Sequence, residues 1–341
     1  MAKEMVDKSH EAEDVMIEAR VSETKEERTF SSLMTAWWTI TKKRYLPRLK
    51  QAQRDIQVEA KRLRYDVWFF GSVETHLSAS SSDVDVLIDL GNRQIGEAIK
   101  DWTDIWYMKD FNRTAALVKK KCGQPMIVLR HYNGTKCDIV FSSYITPRNE
   151  LRLNTNLLRV FGELGHSYGV AYVMIRELFE GTPVFQSNMG GISHYALAIL
   201  MQAICLRENY ICHMNIESGN MIENEKKKVR KGELVLKTLS YLGDLASSRV
   251  DLREDNPVTA SESCCIIDPY TRCDLTKESD LGVEILREKL SERWRKIIET
   301  KPKEWARERE HHRTVVVPLW KELPTEKRKY GRYVEEEILL I

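Results

Sequence analysis

The chain has 341 residues, of which 42% are hydrophobic and 30% charged, with a net charge of +2. That is the balance of a folded chain of about two domains, and with no apolar run near the ~18–20 residues of a membrane span it excludes a disordered chain and a transmembrane helix. Seven cysteines, odd in number and without a C-x-x-C pair, argue against a disulfide framework or zinc site and for reduced thiols in an intracellular compartment. So small a charge gives no overall field for nucleic acid, and any RNA contact must be a local basic stripe.

Residues 1–29 hold nine acids against five bases. No Arg-rich import signal is visible there, and the segment reads as a solvated helix or an arm leaning on another surface. From Phe30 to Leu49 the residues Leu33, Trp37, Ile40 and Tyr45 recur at helical spacing, and a second amphipathic helix is expected from about Arg48 to Leu63. Val67–Phe70 and Val84–Leu90 are short apolar or alternating runs bounded by Gly, Ser and Asp, the pattern of strands. Met126–Tyr132 and Thr135–Phe141 flank Asn133-Gly134, which predicts a hairpin closed by a type I′ turn with positive φ at both turn residues. Beyond Ser142 the pattern turns helical for most of the remaining chain, with expected helices at 152–164, 168–180, 192–207 and 230–248 and glycine breaks at Gly181 and Gly190-Gly191. The basic run Lys226–Lys231 reads as a solvated loop.

Chemistry concentrates in the segment Gly71 to Ile88. Alternate side chains of a strand share a face, so Asp83 and Asp85 project together, about 7 Å apart at Cα, while Val84 and Val86 enter a core. Like charges held that close need compensation, most simply by divalent cations that take hard oxygen ligands. Asp138, on the second strand of the hairpin, can complete a three-carboxylate metal set, Asp83, Asp85 and Asp138. Such a clamp suits phosphoryl transfer, where one ion activates a hydroxyl and another binds the leaving pyrophosphate. The Gly71-Ser72 turn offers backbone N–H groups and a hydroxyl to phosphate oxygens, and Ser82 could do likewise.

A strand, Gly-Ser, a spacer, Ser-Asp-x-Asp and a later strand carboxylate together resemble the nucleotidyltransferase superfamily typified by DNA polymerase beta, in the branch of noncanonical poly(A) polymerases and terminal uridylyltransferases. Asn154-Thr155 with Leu157-Leu158 is similar to that branch's ribose-contacting motif, Ser193-His194-Tyr195 to its Ser-Ser-Tyr motif with a base-stacking Tyr, and Asp268-Pro269-Tyr270 to its Asp-Pro-Tyr element. The resemblance covers about residues 60–275. With no large insertion in the catalytic unit, the chain looks most like the minimal trypanosomatid uridylyltransferases of mitochondrial editosome-like complexes.

The resemblance implies an α+β fold: a small mixed β-sheet nucleotidyltransferase domain over 50–150, a helical base-recognition domain made of 30–49 and 151–299, and a deep cleft between them. It further implies UTP and Mg2+ (or Mn2+) as substrate and cofactor, an RNA 3′ end as partner, a complex of RNA editing, a mitochondrial setting, and Asn154, Thr155, Arg176, Ser193, His194, Tyr195 and Asp268 as nucleotide contacts. Three positions depart from the branch. Thr271 stands where relatives carry a second acid that reads uracil, Glu180 replaces a phosphate-binding Lys, and His194 replaces a Ser. A poly(A) polymerase of the same branch and a catalytically silent RNA-binding subunit are the alternatives, the second favoured by Glu180 and Thr271 and opposed by the three carboxylates. Residues 1–29 and 300–341 lie outside the pattern. The apolar run Val315–Trp320 needs a surface to cover it, and the two ends are expected to pack together and bridge the domains.

Overall fold

The computed structural model describes residues 28, 31–32, 35, 38–39, 43, 45–75, 77–79, 82–108, 115–119, 125–131, 133–142, 155–159, 166–179, 183–185, 192–216, 221–225, 227–276 and 338–340. Helix α1 (Leu46–Leu63) carries Pro47 in its first turn, where the missing N–H costs nothing, and buries Leu49, Ala52, Ile56 and Ala60 at helical spacing. Arg64 ends it in the left-handed region, its N–H reaching the Ala60 and Lys61 carbonyls. Strand β1 (Asp66–Phe70), the single turn α2 (Gly71–Glu74) and strand β2 (Val84–Asp89) follow, then helix α3 (Ile95–Met108) and strands β3 (Ala115–Lys119), β4 (Pro125–Arg130) and β5 (Lys136–Ser142). Strand β11 (Ile338–Leu340) completes a six-stranded sheet in the order β1-β2-β5-β4-β3-β11. The sheet is mixed: β2 and β5 run parallel, and every other neighbouring pair is antiparallel. One of its faces is closed by α1 and α3, whose Ile56, Ala60, Ala98 and Trp102 pack with Val84, Val86, Ile88, Ile127 and Ile139.

The expected hairpin forms, but not with the expected turn. Among the two turn residues only Gly134 has positive φ, at 87°. The His131 carbonyl accepts the Gly134 N–H at 2.8 Å, while the His131 N–H reaches the Thr135 carbonyl at 2.7 Å, which makes a three-residue loop ending in a glycine bulge. Asn133 instead spends its side chain, accepting the Thr135 N–H and donating to the Arg48 carbonyl of α1 at 2.9 Å. A contact remote in sequence thus replaced the local turn that Asn-Gly alone favours.

The second half is helical at its centre. Helices α4 (His166–Leu178), α5 (His194–Arg207) and α6 (Lys231–Gly243) match the expected segments, and the described part of the first, 155–159, is helical as well. Ser193 caps α5, its Oγ accepting the Ala196 N–H at 3.0 Å, and every residue from Ala196 to Cys205 is buried, so this helix is apolar all round and forms the axis of the core. Short strands correct the mostly helical expectation. Strands β6 (Ile211–Met214) and β7 (Met221–Glu223) make a ribbon, and β8 (Ser248–Val250), β9 (Val258–Ala260) and β10 (Cys265–Ile266) make a three-stranded sheet in the order β10-β8-β9.

Two hydrophobic clusters result, one under the six-stranded sheet and one around α5. Leu77 and Ala79, which follow α2, belong to the cluster around α5, as does Tyr45 just before α1. Chain from the sheet unit is thereby sewn into the helical core at Leu77 and Ala79. Of the terminal segments, only β11 and the described positions between 28 and 45 can be placed. The expected packing of the two ends, the run Val315–Trp320, and the positions Asn154 and Glu180 lie outside the described residues.

Candidate active site

Strands β2 and β5 pair in parallel with Asp85 opposite Asp138, so their side chains leave the same face of the sheet. Asp83, two residues before Asp85, joins them from the approach to β2. One carboxylate oxygen from each of the three lies within 4.8 Å of the others, and all three residues are half-buried. The face they occupy is opposite the one closed by α1 and α3. Lys136 stands two residues before Asp138 on the same face, its Nζ 2.8 Å from Asp138 Oδ2 and 3.4 Å from Asp83 Oδ2. Sequence reasoning overlooked this lysine, although the period-two argument applied to the aspartates would have found it.

Gly71 is fixed by the site itself. It has φ +71°, and a Cβ placed on it would lie 2.1 Å from Asp85 Oδ2. The Ser72 carbonyl accepts the Leu77 N–H and the Ser78 hydroxyl, each at 3.0 Å, which folds the following loop back toward α2. Ser82 is buried, with its Oγ accepting the Ala79 N–H at 2.8 Å, so its hydroxyl oxygen shapes that loop.

Beside the carboxylates lies a cavity of about 220 Å³. On the sheet side Phe70, Gly71, Ser72, Asp83 and Asp85 line it; on the helical side Thr155, Leu158, Tyr172, Arg176, His194 and Tyr195 do. Its volume is below the ~300–1,000 Å³ of a typical small-molecule site. Tyr172 is a wall residue that the motif reading did not single out.

The Arg176 side chain is 4% exposed and donates from Nη1 to the Leu77 carbonyl at 3.2 Å. No carboxylate among the described residues pairs with it, and a buried guanidinium without a counterion favours an anion in the cavity. His194 opens α5, with its carbonyl accepting the Tyr172 hydroxyl at 3.0 Å and its ring 5.8 Å from that of Phe185. His194 is exposed at the cavity wall, yet the surrounding walls and the nearby Arg176 charge hold its pKa well below the ordinary histidine value. It is therefore neutral at pH 7. Tyr195 has a buried hydroxyl with no hydrogen-bond partner among the described residues, and burial, with Asp268 and Tyr270 nearby, pushes its phenol up.

Asp268 does not line the cavity. Its Oδ1 accepts the Tyr270 and Thr271 N–H groups at 2.7 and 2.9 Å, and this turn is braced from outside by Asp251, whose buried carboxylate takes both Arg272 guanidinium nitrogens at 2.8 and 2.7 Å. Burial alone would raise the Asp251 carboxyl, but Arg272, the Arg253 N–H and Arg249 hold it below the usual carboxylate value. Ser193, as the cap of α5, sets the position of His194 and Tyr195.

No family model matches the sequence, and no curated protein matches it. Solved structures do. The Cid1 poly(U) polymerase in a mutant form bound to MgATP superposes with a TM-score of 0.60 at 14% identity, covering 80% of this chain and 97% of that one. Cid1 with its short product ApU gives 0.58 at 14% identity, over 76% and 92% of the two chains. A structure described as that of a cytoplasmic RNA terminal U-transferase gives 0.57 at 14%, again over 76% and 92%. At such identity the likeness establishes the fold: this chain folds as those nucleotidyltransferases do.

Proposed function

We propose that the chain is an RNA terminal uridylyltransferase, transferring UMP from UTP to an RNA 3′-hydroxyl with release of pyrophosphate. The observation that carries this reading is the convergence of Asp83, Asp85 and Asp138 at the edge of a cavity whose far wall bears Thr155, Arg176, His194 and Tyr195. The similarity of fold to a poly(U) polymerase and an RNA terminal U-transferase supports the choice of RNA and UTP.

The donor set suits Mg2+ or Mn2+, since all three groups are hard oxygen ligands within reach of one another and the Lys136 ammonium already lies against two of them as a stand-in cation. When bound, the ions lower the pKa of the attacking hydroxyl and neutralise charge on the phosphates. The protein's own residues do the positioning. Arg176 supplies a buried positive charge toward the triphosphate, Gly71 and Ser72 let the backbone approach it, and Thr155 offers a hydroxyl to the ribose. Tyr195 presents its ring to the base, a sequence-tolerant contact of about 1–3 kcal/mol that does not by itself choose uracil. Choice falls to hydrogen bonds at the base edge, for which the His194 imidazole in the cavity wall is a candidate, while Asp268, outside that wall, would act through a bridging group. In this reading the sheet unit over 50–150 binds the metals and phosphates, and the helical unit binds the nucleoside. The resemblance to the minimal trypanosomatid enzymes further suggests mitochondrial RNA editing as the setting, which subcellular imaging of the tagged protein tests.

Incubating labelled RNA, single-stranded and gapped duplex, with each nucleoside triphosphate in turn tests the function directly. Extension with UTP is expected; extension with ATP alone would make it a poly(A) polymerase, and none with any nucleotide would overturn the reading. Asp138→Ala should abolish extension while the circular dichroism spectrum stays unchanged. Retained extension in that variant would remove Asp138 from the metal set.

A further inference from the structure

The position of Lys136 carries an inference about how the RNA end is received. Its Nζ contacts Asp138 and Asp83, on a side chain that is 49% exposed beside Asp138 at 17%. One ammonium offsets at most one of the three carboxylate charges. A divalent ion taking oxygen ligands from the same three groups matches them better, and it would compete with Lys136 for Asp138 Oδ2 and Asp83 Oδ2.

In-line phosphoryl transfer fixes which side the displaced ammonium then faces. The attacking and leaving oxygens lie on opposite sides of the phosphorus. Gly71 and Ser72 follow β1, and the sheet order β1-β2-β5-β4 places that turn on one side of Asp85 with Asp138 and Lys136 on the other. With the leaving pyrophosphate toward Gly71, Ser72 and Arg176, the RNA 3′-hydroxyl must arrive over β5, where the half-exposed Lys136 stands.

We propose that Lys136 is a hand-over cation: its ammonium balances Asp83 and Asp138 while no metal is bound, and once displaced by the metal it binds the 3′-terminal phosphodiester of the incoming RNA. The second role rests on the uridylyl-transfer reading; the first does not.

The test uses the full chain as wild type, Lys136→Met, Lys136→Gln and Lys136→Arg, each checked for folding by circular dichroism. Mn2+ binding without nucleotide is measured by electron paramagnetic resonance. Both neutral variants should bind Mn2+ about two- to fivefold more tightly, as expected when a half-exposed ion pair stops competing. Binding of RNA ending in a 3′-deoxynucleotide is then followed across a salt series with Ca2+ present. The slope of log affinity against log salt should become shallower by about 0.7 in the neutral variants, the loss of one single-strand phosphate contact, and stay near wild type in Lys136→Arg. Unchanged Mn2+ affinity in both neutral variants overturns the counterion role, and an unchanged salt slope overturns the phosphate role. If wild type neither binds nor extends RNA, the uridylyl-transfer reading and the phosphate role fall together, while tighter Mn2+ binding in the neutral variants still establishes the counterion role. Two neutral replacements keep a packing defect of one from deciding the result.

Discussion

At Gly71 a positive φ coincides with an approach so close that any side chain would displace the Asp85 carboxylate. The sequence marked Gly71 as a turn that opens backbone N–H groups to phosphate; the structure adds that it clears the space Asp85 occupies. Gly71→Ala should leave the fold intact but lower single-turnover extension on the order of 10²-fold, the usual penalty for displacing a reacting group by about 1 Å. Mn2+ titration of that variant checks the cause: affinity equal to wild type would mean that Asp85 had not moved. Period-two reasoning found Asp83, Asp85 and Asp138 because carboxylates on one strand face call for an explanation. It passed over Lys136, which alternates in the same way but looks like any surface lysine until β2 and β5 are paired. Asp268 was visible as a motif residue, whereas its distance from the cavity wall was not.

Among the elements, the turn that carries Asp268 depends on a residue remote from any motif. Asp251 follows β8 and clamps Arg272, which itself sits at φ 62°. Asp251→Asn should cost about 1–2 kcal/mol, toward the low end for a charged hydrogen bond because Arg272 remains half in water. Its carboxyl is held below the 3.8 of an unfolded aspartate. The stability gap from wild type is therefore full above pH 3.8 and closes as pH falls through the lower native value, which urea unfolding at several pH values measures. Loosening this turn should also raise KM for UTP more than it lowers kcat. The sheet strands and long helices were legible from periodicity, but β6 to β10 were not, because runs of two to four residues are shorter than the window in which alternation shows. Helix α3 was missed although Trp102 is fully buried on it, since its apolar stripe is interrupted by acids and a lysine. The type I′ turn failed at Asn133 for a tertiary reason, the hydrogen bond to Arg48.

For the whole molecule, the sewing of one unit into the other matters most. Leu77 is 1% exposed within the helical cluster, and its carbonyl receives the Arg176 guanidinium. Leu77→Ala should destabilise the protein by about 2–5 kcal/mol, as large-to-small core changes do, and should also free Arg176 and loosen the cleft. Denaturant unfolding followed by tryptophan fluorescence and by circular dichroism is expected to show one transition in wild type and separated ones in the variant; coincident transitions in both would mean that the loop does not couple the units. The two-part plan could be read from the switch in periodicity after Ser142, but the stitching could not, because Leu77 and Ala79 look like ordinary loop residues.

The parallel pairing of β2 with β5 also sets a timetable. Asp85 leaves the ribosome well before Asp138, and at ~5–20 residues per second the interval is seconds long. Until the intervening helix and two strands have folded back, no triad exists to capture a metal. A nascent chain would therefore be blind to Mg2+ through the first part of its synthesis, and metal loading would report that the sheet has closed in register. A shift of a single residue between those two strands would turn one of the carboxylates to the opposite face. Such a molecule could be nearly as compact as the correct one, and its failure to take up metal would be the earliest sign of the error.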